Sequence, residues 1–207
     1  MNIHPQFSVF GDSRPIGYSD NNILLDAQLM SEEIESLYGP MVEDWTIRFL
    51  VFANESTPCI YYPKDFNKTV GIRLVRSALN DVDFARFQMA HELVHCLSPS
   101  GRCIANVLEE GMAAFYQQSY SERMLGSRVQ LGDKRYVFAM KLYEKFLKEC
   151  NMSNPIAKLR SVEPYTDKFT HETFITAGII LPQYLEKLLL MKFEDVCKSF
   201  DNLSMMF

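Results

Sequence analysis

Two histidines and a glutamate stand together in "MAHELVHCL", residues 89–97, as His91, Glu92 and His95. On a helix, positions i and i+4 point the same way, displaced by about 6 Å along the axis. Both imidazoles can therefore reach one zinc ion, each at about 2.0–2.1 Å. Glu92 lies about 100° round the helix from His91, too far to share the ligand direction. It is placed instead to take a proton from a water held by the metal. The spacing fits metal-assisted hydrolysis. The competing reading makes the histidines ordinary helix residues and Glu92 a solvated neighbour. Yet the chain spends two of its four histidines within one turn, among apolar Met89, Ala90, Leu93, Val94 and Leu97. Burying both without partners would cost about 1–3 kcal/mol each. The metal reading is preferred.

A catalytic zinc needs a third protein ligand and an open position for water. "NVLEEGMAAFYQQ", residues 106–118, offers Glu109 and Glu110. Adjacent helical residues point about 100° apart, so one of them is the ligand. Glu110 shares its face with Ala113, Ala114 and Gln117, whereas Glu109 shares its face with Met112, Ala113 and Tyr116. Two alanines beside Glu110 let its helix approach the histidine helix closely, and Gly111 removes further bulk. Glu110 is the expected ligand. Glu109 is then an acceptor for a ligand imidazole N–H, or exposed.

The elements that must position these residues can be read from periodicity. Asn22 to Pro40 has apolar residues at helical spacing and stops at Gly39-Pro40. Trp45–Ala53, Pro58–Pro63 and Thr69–Ser77 read as three strands, with Gly71 marking a bulge or a close backbone approach. From Asp81 the period becomes helical, with Asp81 or Asp83 as cap and Pro99 and Gly101 as stop signals. Further helices are expected at about Ile104–Tyr120, Lys134–Cys150, Pro155–Ser161 and from His171 onward, with a glycine-containing loop "LGSRVQLGD" between the first two. This order predicts an α+β fold in a single domain over 1–207, with a core over 1–120 and a helical C-terminal subdomain over 121–207.

"HELVH", completed fourteen positions after His95 by "EEGMAAFY", resembles the gluzincin branch of zincin metallopeptidases. "FARFQMAHELVH" is similar to the active helix of small intracellular ImmA/IrrE-type peptidases. The match is specific over Asp81 to Tyr120 and only architectural over Asn22 to Ser77. The metzincin pattern fails, because Ser98 and Gly101 stand where it requires glycine and histidine. The resemblance implies a zincin-like minimal gluzincin core: a backing helix, a small three-stranded sheet, an active-site helix and a glutamate helix. It implies one Zn2+ per chain and Glu92 as general base. It also implies a transition-state donor from the C-terminal part, for which His171 and Tyr165 in "EPYTDKFTHETF" are the candidates. Finally it implies an edge strand that receives extended substrate. Thr69, Val70, Gly71, Ile72 and Arg73 are expected to form that edge, as the last strand before the active helix.

Composition narrows the partners. In 207 residues, 47% are hydrophobic and 23% charged, the profile of a globular chain. A net charge of −5 with no basic run argues against nucleic acid. The most apolar stretch, around Phe174–Leu190, is too interrupted for a membrane span, and the N-terminus shows no secretory signal. Five scattered cysteines without C-x-x-C knuckles suggest free thiols in a reducing compartment, hence a cytoplasmic protein, rather than a cysteine-ligated zinc through Cys96 and Cys103. The expected partner is a peptide or protein substrate, with room for a protein regulator. An alternative is a catalytically silent module that keeps the fold for partner binding, although such a module has no physical need for Glu92.

Overall fold

The computed structural model describes residues 8–9, 20–102, 104–124, 126 and 131–203. The expected irregular start, Cys103 and most of the "LGSRVQLGD" loop lie outside them. Within them the fold is α+β. A two-residue strand β1 (Ser8–Val9) precedes helix α1 (Asp20–Tyr38) and strands β2 (Thr46–Ala53), β3 (Cys59–Tyr61) and β4 (Thr69–Val75). Helices α2 (Val82–His95), α3 (Val107–Met124), α4 (Lys134–Cys150), α5 (Pro155–Val162), α6 (His171–Thr176), α7 (Gln183–Leu189) and α8 (Phe193–Leu203) follow. None of the described helices is long and apolar enough to cross a membrane.

The sheet order is β1-β2-β4-β3, with β1, β2 and β4 parallel and β3 antiparallel to β4. This overturns the expectation that Thr69–Arg73 form the substrate edge. β4 is paired on both sides, and Val70, Ile72 and Leu74 are wholly buried. The reason is visible in "TVGIRLV", whose nearly continuous apolar run suits a strand covered on both faces. The edge strand beside β4 is β3, and β1 forms the other edge. Strand β3 is short and flanked by Pro58 and Pro63, which cannot donate to a ladder and so belong at an edge. Gly71 does mark a close approach, since a Cβ there would stand 2.4 Å from the ring of its partner Tyr61. The irregularity of the ladder falls on β2 instead, between Ile47 and Phe49.

Helix α2 runs through the centre. Asp81 caps it, accepting from the Phe84 amide at 2.9 Å, and every residue from Phe87 to His95 is buried. Gln88 pins it to the end of β4 by accepting from the Val75 amide at 3.1 Å. Helix α3 packs on α2 through the Glu110 face, where Gln117 donates to the Phe87 carbonyl at 3.0 Å. Gly111 serves another contact than expected. A Cβ there would meet the Ala139 carbonyl oxygen of α4 at 2.4 Å, so the glycine admits α4 rather than α2.

The C-terminal half is built into the same core, which runs from Ile23 to Val196. Arg160 on α5 donates to the carbonyls of Tyr38, Gly39, Pro40 and Leu97 at 2.6–2.9 Å. One guanidinium thus satisfies terminal carbonyls after both α1 and α2. Backbone bonds from Val107 to Met191 and from Phe193 to Ala105 tie the chain entering α8 to the chain entering α3.

Candidate metal centre

His91 and His95 project from the last turn of α2, and Glu110 from the first turn of α3. Their ligand atoms all lie within 4.8 Å of one another. The two Nε2 atoms are 3.2 Å apart, and Glu110 Oε2 stands 3.3 Å from His91 Nε2 and 3.6 Å from His95 Nε2. That oxygen is buried and has no hydrogen-bond partner among the described residues. Three atoms rich in lone pairs therefore face one point, an arrangement that a cation resolves.

The orientation of His95 comes from Glu109. His95 Nδ1 donates to Glu109 Oε1 at 2.7 Å, which leaves the Nε2 lone pair free for a metal. Glu109 is held in turn. Its other oxygen accepts from the Thr166 hydroxyl, and its amide donates to Asn106 Oδ1 at 2.9 Å. Asn106 also donates to the Thr166 carbonyl at 2.7 Å, closing the network. The two adjacent glutamates thus divide the work, Glu110 facing the candidate ion and Glu109 facing a ligand. Glu109→Gln should weaken zinc binding by roughly 10–100-fold, and Glu110→Gln should weaken it more. Competition with a metal-sensitive dye reads both, and the reverse ranking would exchange their roles.

Electrostatics at the centre favour a cation. Burial alone would drive His95 to its neutral form, but the Glu110 carboxylate and the Glu109 hydrogen bond raise its pKa well above the ordinary value. Burial likewise acts to raise Glu110, yet the His95 and His91 imidazoles hold it below the usual carboxylate range. Glu92 behaves differently. Burial raises its pKa against the opposing pull of both imidazoles and a hydrogen bond from the Ile60 backbone.

These groups line a cleft of about 170 Å³, walled by Pro58, Cys59 and Ile60 of the edge-strand region and floored by α2 and α3. A second cavity of about 520 Å³ lies beyond it, with Phe84, Phe87 and Leu131 among its walls. Pro58, His91, Glu92 and Tyr136 line both. Tyr136, in the first turn of α4, meets the His91 ring edge to face with centroids 5.5 Å apart and lies tilted against Phe193 at 5.0 Å. Its phenol is pushed above the ordinary value by burial and then by the nearby Glu110 and Glu92 charges.

The structure does not bring Tyr165 or His171 into the cleft. Tyr165 lies under the Lys168 ammonium at 4.1 Å, and His171 is exposed, 2.9 Å from Glu186. Their neighbours Thr166 and Asp167 take the places at the site. Sequence reasoning found that segment but missed these two residues, along with Asn106 and Tyr136. Only Asn106 carried a local signal, as a helix-capping type directly before α3.

No protein-family model, curated protein or solved structure matches this chain.

Proposed function

We propose that this chain is a zinc-dependent metallopeptidase of the gluzincin type. The observation that carries the reading is the convergence of His91, His95 and Glu110, one of them an orphaned buried carboxylate oxygen, with Glu92 beside them in the same cleft. Two imidazoles and a carboxylate match the donor set of catalytic zinc sites that keep one position open. A zinc ion held there supplies Lewis-acid polarisation and a water of lowered pKa.

The chain's own residues do the rest. Glu92 accepts the proton of the attacking water and delivers it to the departing amine nitrogen. Its buried position and raised pKa suit a group that must both take and return a proton. Tyr136 offers a phenolic O–H toward the oxygen on which negative charge develops. Strand β3, an edge of the sheet among the described residues and bordering the cleft, offers backbone groups to an extended peptide. The larger cavity gives an apolar side chain of that peptide a place beside His91 and Tyr136.

Elemental analysis of protein prepared without chelator should find about one zinc per chain. The same protein should cleave a denatured protein substrate, stop when 1,10-phenanthroline is added and recover when zinc is restored. Stoichiometric iron in place of zinc, or zinc without any cleavage, would overturn the peptidase reading.

A further inference from the structure

The cleft contains a charged group that the proposed hydrolysis does not use. Asp167 lines it together with the three candidate ligands and Glu92. Its Oδ1 is buried, and no donor among the described residues reaches it. A shielded carboxylate oxygen without a donor is costly to hold in a folded chain unless something else supplies the missing partner. The backbone that carries Asp167 is held in place. Asp167 follows Thr166, whose hydroxyl donates to Glu109 and whose carbonyl accepts from Asn106. The network that orients the ligand His95 therefore also fixes the backbone beside Asp167 relative to the metal centre. Among the described residues, Arg102 is the one lysine or arginine on the same cleft wall, and it is exposed and makes no ion pair with Asp167.

Resting on the peptidase reading, we propose that Asp167 determines specificity by receiving a positively charged group of the substrate in the metal cleft. A lysine or arginine side chain or a free N-terminal ammonium supplies that charge, and each brings N–H donors to the open side of this part-exposed carboxylate. Carboxylate and cation then form charge-assisted hydrogen bonds away from bulk solvent, where they discriminate most strongly against a neutral isostere.

The test uses full-length, zinc-loaded protein and neutral peptides that carry one lysine or one norleucine at each position in turn. Each is made with a free and with an acetylated N-terminus. Cleavage is followed with the native chain, and binding with the Glu92→Gln form. Lysine at one position should improve kcat/KM and binding over norleucine by roughly 10-fold or more. Asp167→Asn should bring that ratio close to one, while zinc content stays stoichiometric. If the N-terminal ammonium is the ligand, acetylation abolishes the preference and the lysine scan is flat. The native chain's own preference is read without any variant, so misfolding of Asp167→Asn cannot hide a negative result. Cleavage with no preference for either cation overturns the role of Asp167 and leaves the peptidase reading intact. A cation preference in binding with no cleavage does the opposite. Absence of any peptide binding overturns both.

Discussion

Glutamine in place of Glu92 should lower peptide turnover by about 10²–10⁴-fold, the range expected when a general acid–base group is lost. Zinc content should not change. Glutamine keeps the shape and one acceptor but cannot take a proton, and Glu92 is not among the three converging ligand atoms. The loss should fall on kcat, because the proton moves only during reaction. Tyr136→Phe should cost roughly 10²-fold by removing one donor to the developing charge, again with zinc retained. A Glu92→Gln protein that still turns over within tenfold of the native rate would remove Glu92 from the chemistry.

The second large effect lies far from the cleft. Arg160 is 6% exposed, and its four hydrogen bonds reach four backbone carbonyls across 63 to 122 positions of sequence. Burial lowers its pKa to about 10, while Glu35 and Glu109 act to raise it, so it stays charged at neutral pH. Arg160→Met should remove about 3–5 kcal/mol of stability, because each carbonyl it leaves is shielded from a replacement donor. For a chain of this size that is a fall in Tm of roughly 6–20 °C. Arg160→Lys should recover only a fraction, since a single ammonium cannot span the positions that a planar guanidinium reaches. Urea unfolding of the three proteins measures this. A loss below about 1 kcal/mol for Arg160→Met would show that water satisfies those carbonyls.

Much of the element order was legible in the sequence because periodicity reports burial directly. The onset of helical spacing at Asp81 marks the step from sheet to α2, and Lys134–Cys150 is a helix over the expected bounds. The His91–His95–Glu110 convergence was legible for a similar reason, since two ligands share one helix and the third follows on the next. Strand order was not. It depends on which strands pair, and proximity in sequence to α2 was a poor guide to position in the sheet. The evidence against Thr69–Arg73 as an edge lay in their own apolar run and in the prolines around β3. Thr166, Asp167 and Tyr136 were hidden for another reason. They reach the cleft through tertiary packing of the C-terminal helices, and nothing in their local spacing announces it.

The ties across the molecule bear on how the protein is made. The histidine pair and Glu110 emerge in the first 110 residues, but Tyr136 and Thr166 follow later, as does the Arg160 clamp on α1 and α2. A ribosome adds roughly 5–20 residues per second, so for several seconds the nascent chain holds the candidate ligands and Glu109 without the later residues that hold Glu109 and wall the cleft. The latest parts of the chain thus assemble the centre, and a truncated product carries the motif without the machinery.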